Sequence, residues 1–183
     1  MTTGTKVDRR ILKTKEAINK AFLELFSEKE FEQITINDIA DRANVNRGTI
    51  YLHYTDKYDL LYKCIDFHLS KMFSSCTIHV NLEKDDFISE QKPIFKYFED
   101  NFLFFSSMIS NKITSLFQER MLSFVKSSIK KNLDQSTNQT IDKELVTQFN
   151  ASAFVGIIEW WIQNKMPHSP QYMAEQMWDL FKR

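Results

Sequence analysis

Residues 35–61, TINDIADRANVNRGTIYLHYTDKYDLL, decide how this chain is read. Thr35 fits a helix N-cap, and Asp38, three residues on, supplies the acidic variant of a capping box. Ile36, Ile39, Ala40 and Ala43 then recur at the spacing of one helical face. About two turns of helix cannot hold together alone in water, so this segment must pack on neighbours. Asn44 stands where the chain has to turn, and asparagine tolerates the left-handed backbone better than most residues. Val45 follows as an apolar plug, and Asn46 can cap the next helix, residues 47–53. That helix has Ile50 and Tyr54 to bury, which leaves Arg47, Thr49, Tyr51, Leu52 and His53 pointing outward.

Two short helices about a tight turn, the second with little to bury, describe a helix-turn-helix. The first helix braces the second, which enters the major groove of DNA. The groove admits one helix. Arg47 can fork onto a guanine or grip a phosphate, and Thr49 can touch a base edge or a thymine methyl. Gly48, with no side chain, lets the helix start approach the duplex closely. Tyr51, His53 and Tyr54 offer donors to phosphate oxygens, and Lys57 adds a charge at the start of the next helix. Tyr51 and Tyr54 equally suit the small core of such a domain.

Thr35-Ile36-x-Asp38-Ile39-Ala40-x-x-Ala43, followed by Arg47-Gly48-Thr49-Ile50-Tyr51-x-His53-Tyr54-x-x-Lys57-x-x-Leu60, resembles the DNA-binding domain of the TetR/AcrR family of bacterial transcriptional regulators. The likeness spans about residues 8–65, roughly a third of the chain. Asn44 stands where relatives usually have glycine, and Asn46 where serine or threonine is common. Both substitutes are competent for their positions. The resemblance implies a homodimer whose two heads meet a palindromic operator. Arg47, Thr49, Tyr51 and His53 would contact DNA, with Thr35, Tyr54 and Lys57 on phosphates.

The rest of the chain agrees with an all-helical fold. Apolar residues make up 43% and aromatics 14%, while glycine and proline number three each, too few for the turns of a sheet-rich protein. Ile11, Ile18, Phe22, Leu25 and Phe26 give an amphipathic helix over 8–29. Leu60, Leu61, Ile65, Leu69, Met72 and Phe73 stripe another from Asp56 to about residue 76. His79-to-Asp86 looks like a charged break, and helices follow over 90–108, 112–132, 142–166 and 170–182. The expected architecture is about nine helices: a three-helix head, residues 1–55, and a helical dimerisation and effector-binding domain, residues 56–183. No apolar run suits a membrane span or a signal peptide, so the expected location is the cytoplasm.

Net charge is zero, yet Lys6, Arg9, Arg10, Lys13, Lys15 and Lys20 face only Asp8 and Glu16 within the first twenty residues. That excess bears on DNA only when a reading element lies nearby. Residues 149–181 combine the small Ala151, Ala153 and Gly156 with Phe154, Ile157, Ile158, Trp161, Met177, Trp178 and Phe181, a surface too apolar to leave wet. Phe154, Ile157, Trp161, Met177, Trp178 and Phe181 are the expected dimer interface. Part of this region, Gly156 to Pro170, also resembles one C-terminal subgroup of the same family.

Phe95, Phe98, Phe102, Phe105, Phe117 and Phe124 either line a pocket for a hydrophobic or aromatic effector or form plain core. Cys64–His68 and Cys76–His79 have ligand-like spacings without third and fourth partners, so no metal is expected. The cysteines are twelve residues apart on one apparent helix, ~18 Å, beyond disulfide reach. No phosphate loop, nucleophile motif or cofactor signature is present, so neither an enzyme nor a cofactor is expected. The expected function is a DNA-binding regulator, by family default a repressor, released by a small-molecule effector. The rival is a TetR-like coregulator that acts through a protein partner without a ligand.

Overall fold

Helix α1, Gly4–Glu28, turns Ile18, Ala21, Phe22, Leu25 and Phe26 inward, all nearly inaccessible to water. The computed structural model describes residues 4–73, 83–110, 114–133 and 142–181. After a single 3-10 turn, Phe31–Gln33, come α2 (Ile36–Ala43), α3 (Arg47–Tyr51) and α4 (Lys57–Phe73). Then follow α5 (Lys84–Asp100), α6 (Phe102–Ser110), α7 (Thr114–Leu133), α8 (Lys143–Gln163) and α9 (Pro170–Phe181). Among the described residues there is no strand, so the expected all-helical class is the observed one.

Two compact units, residues 1–66 and 67–183, divide inside α4 rather than at 55/56, where the sequence suggests a boundary. The first turns of α4 belong to the head for a packing reason. Leu60, Leu61, Cys64 and Ile65 are buried, and Tyr58 meets the Phe31 ring edge-on at 5.0 Å. Within the head, Arg42 of α2 forks onto Glu28 of α1 with two bonds of 2.8 Å, fixing α2 against its brace.

In the second unit, α5 packs along α9 and α7 along α8. Phe95 meets Trp161 edge-on at 5.4 Å, and Phe98 lies 4.4 Å from Phe105. The single helix expected over 90–108 is two helices. At Asn101 the side-chain amide and the backbone N–H both return to the Tyr97 carbonyl, which ends α5. The acidic stretch expected as a break is, from Lys84 on, the first turn of α5, where Asp85 and Asp86 favour the positive helix end. Residues 79–82 of that stretch, like the loop expected at 134–140, lie outside the described residues. Helix α8 stops at Gln163 rather than 166, because Lys165 and Met166 adopt left-handed φ of 58° and 53° ahead of Pro167.

Candidate nucleic-acid interface

Helix α2 begins with the expected reciprocal cap. The Thr35 hydroxyl oxygen accepts from the Asp38 amide at 3.2 Å, and Asp38 Oδ2 accepts from the Thr35 amide at 2.8 Å. These bonds from Thr35, with Lys29 beside them, hold the Asp38 carboxyl down at about 2. Because the Thr35 hydroxyl also donates to Asp38 Oδ2, its proton is committed to the cap and not to a phosphate. At the far end Asn44 is left-handed, φ 52°, and the Val45 amide reaches back to the Ala40 carbonyl at 3.0 Å. Asn46 Oδ1 then accepts from the Gly48 amide at 2.8 Å and starts α3 in a new direction. A Cβ on Gly48 would come within 3.3 Å of that same oxygen, so glycine keeps the cap uncrowded.

Short as it is, α3 buries one residue, Ile50. Arg47, Gly48, Tyr51 and Leu52 are exposed, while Thr49 and His53 are half-buried. Arg47 Nη2 donates to the Tyr51 hydroxyl at 3.3 Å, and its guanidinium lies 5.4 Å from the ring centre. The tyrosine thus steers the arginine without neutralising it.

Besides Thr35, two further residues expected on DNA sit differently. Tyr54 is 5% exposed and donates its hydroxyl to Asn19 Oδ1 at 3.2 Å, while burial pushes its pKa up to about 12. It is a core residue of the head. Lys57 spends two of its three N–H donors on the Phe31 and Glu32 carbonyls, both at 3.0 Å, and lies over the Phe31 ring. The amides at the start of α4 are likewise taken, by Asp56 Oδ1 at 2.8 Å from both Tyr58 N and Asp59 N.

The residues expected to face a partner subunit divide. Phe154, Trp161 and Met177 are buried within their own unit, and Trp161 Nε1 donates to the His168 carbonyl at 3.0 Å. Their side chains are turned into that unit's core, where the rings of Phe154 and Trp161 lie 6.4 and 5.4 Å from Phe95 of α5. Ile157, Trp178 and Phe181 are half-buried, with Trp178 against Phe87 at 5.4 Å. The accessible stripe on α8 runs Leu145, Phe149, Ser152, Gly156 and Trp160, one face opposite to the buried one. Leu145 and Phe149 are 66% and 69% exposed, and space beyond Gly156 is open. Tyr172 and Leu180 continue the exposed apolar surface on α9. Only burial in three dimensions separates the two faces, since both carry large apolar residues.

Of the aromatics expected around an effector, Phe95, Phe98, Phe105 and Phe117 are buried against one another, and Phe102 and Phe124 reach the surface in part. His68, which sequence spacing pairs with Cys64, is instead stacked on Phe104 at 3.9 Å, with its Nδ1 2.9 Å from the Tyr97 hydroxyl. Burial lifts the Cys64 thiol to about 12, so it is a neutral core group. Cys76 and His79 lie outside the described residues. No helix among the described residues is long and apolar enough to cross a membrane.

Residues 18–64 match bacterial regulatory proteins of the tetR family, and residues 90–183 match a transcriptional regulator C-terminal region. The HTH-type transcriptional regulator YxbF of Bacillus subtilis (strain 168) is 26% identical over 179 residues, 93% of this chain and 45% of YxbF. The probable acrEF/envCD operon repressor of Escherichia coli (strain K12) is 41% identical over 49 residues, 27% of this chain and 22% of the repressor. The chain therefore spans less than half the length of these curated relatives. A solved TetR transcriptional regulator from Streptococcus agalactiae 2603V is 25% identical with a TM-score of 0.69, covering 99% of this chain and 100% of that one.

Proposed function

Because the chain belongs to the TetR family of bacterial regulatory proteins, we propose that it represses transcription as a homodimer whose two heads occupy a palindromic operator. The observation that carries this reading is α3. It offers Arg47, Thr49, Tyr51 and His53 on one short, capped element, and Arg47 has no carboxylate partner among the described residues. An arginine steered by a neutral tyrosine is free to fork onto a guanine edge, which is worth about 1–3 kcal/mol of discrimination. Lys57 keeps one donor for a phosphate beside it, and Gly48 opens the approach.

A second copy of the chain is the partner that suits the exposed α8–α9 stripe. Leu145, Phe149 and Trp160 share one exposed face of α8, which His168 carries on to Tyr172; that surface is too apolar to be left in water, and Gly156 allows close helix approach. Within the second unit, Phe102 and Phe124 mark where a hydrophobic effector would enter the aromatic cluster. Such a molecule releases DNA only by binding one spacing of the heads better than the other.

The test is binding to the intergenic DNA that flanks the chain's own coding sequence, compared with a random-sequence duplex at several salt concentrations. The expected result is a preference for the intergenic duplex that disappears in Arg47→Ala. A preference that survives Arg47→Ala, or never appears, overturns the reading and favours a coregulator that works through a protein partner.

A further inference from the structure

We propose that α1 supplies a second DNA contact: a basic groove that holds the phosphodiester backbone beside the reading helix. The inference rests on the DNA-binding reading above and extends it to residues outside the helix-turn-helix. An open groove of about 350 Å³ lies between α1 and the helix-turn-helix turn, lined by Arg9, Arg10, Lys13, Thr14, Ala17 and Val45. Its lining residues on α1 recur at spacings of three and four, so they share one helical face. Ala17 and Val45 are small enough to leave the floor shallow, and the three cations stand around it.

Charge pairing separates the groove from most of the head, where among the described residues only Lys15 and Arg47 share its lack of a carboxylate within 4.0 Å. Elsewhere in the head, Lys20, Lys29, Arg42, Lys57 and Lys63 each have a carboxylate within 4.0 Å. Arg9, Arg10 and Lys13 have none among the described residues, and all three are exposed. Three cations crowded on one face, with no carboxylate partner among the described residues, repel each other, and a polyanion removes that cost. Position selects DNA as the polyanion. Val45 is two residues before Arg47, so their Cα atoms lie at most ~7.6 Å apart. The major groove is ≈12 Å wide, so a helix seated in it has a phosphate strand within an arginine's length. A strand in that place meets the α1 cations when α3 meets the bases.

Phosphate contacts add affinity and salt dependence without sequence preference. The experiment measures binding of the full chain to a random-sequence duplex and to the flanking intergenic duplex over a salt series. Lys13→Gln is expected to lower the slope of log affinity against log salt by about 1 per head, with the ratio between the two duplexes unchanged. The triple variant Arg9→Gln/Arg10→Gln/Lys13→Gln is expected to lower it further. Lys15→Gln removes the same charge from an exposed α1 position outside the groove and is expected to leave the slope as it was. Equal effects of Lys13→Gln and Lys15→Gln, or an unchanged slope in the triple variant, overturn the groove while the regulator reading stands. If the triple variant loses its helical signal, the two single variants decide. An unaltered chain that binds neither duplex overturns both.

Discussion

Replacing Asp38 with asparagine removes one negative charge from the first turn of α2 and almost none of its bulk. The carboxylate takes the Thr35 amide and hydroxyl, both at 2.8 Å, and Lys29 Nζ at 3.0 Å. Its pKa of about 2 lies below the ~3.9 of an unfolded aspartate. A depressed native value means the stabilisation is complete above about pH 4 and is lost as pH falls through about 2. For a shielded carboxylate the difference would be about 2.6 kcal/mol. With 34% of this side chain exposed, solvent screening cuts it to about 1 kcal/mol, the usual worth of a helix cap. Urea denaturation followed by far-UV circular dichroism, with amide exchange of residues 36–43, measures it. Asp38→Asn is expected to be about 1 kcal/mol less stable at neutral pH, to exchange its α2 amides faster, and to converge on the unaltered protein in acid. Tryptophan fluorescence is expected to stay put, because Trp160, Trp161 and Trp178 all lie in the second unit. Identical midpoints at neutral pH, or a gap that does not narrow on acidification, would refute the idea that an ionised cap holds α2.

His68 provides a second pH signature with the opposite chemistry. Burial, and then the nearby Lys71, keep its pKa at about 4, against ~6.5 when unfolded. The unfolded chain therefore takes up the proton first, and stability falls as pH drops from about 6.5 to about 4. His68→Phe is expected to abolish a loss of roughly 1–3 kcal/mol across that window; coincident pH profiles from denaturation midpoints would exclude it. As a test of the proposed homodimer, Phe149→Glu on the α8 stripe is expected to yield a monomer by light scattering with unchanged helicity, since the side chain is 69% exposed in the single chain. An unaltered dimer mass would remove α8 from the interface.

The local grammar of the head is written in the order of its residues. A threonine three before an aspartate, an asparagine at the turn and another before Arg47-Gly48 specify the two caps and the left-handed corner, because each needs only neighbours within a few positions. The helical class was equally legible, since amphipathic spacing is a property of consecutive residues. The break at Asn101 was not. It lies within a phenylalanine-rich run whose periodicity continues across it, and a returning side-chain amide stops the helix.

What the order of residues could not decide is which of two apolar faces looks inward. Phe149 and Phe154 are both large rings on α8, yet the first is exposed and the second is buried with its ring 6.4 Å from Phe95. Nor could it decide that Tyr54 points to Asn19, or that Arg9, Arg10 and Lys13 gather with Val45 around one groove. Caps and helical periods arise from contacts a few residues apart. Burial and charge pairing are settled by segments distant in the chain, and those meet only once the tertiary structure brings them together.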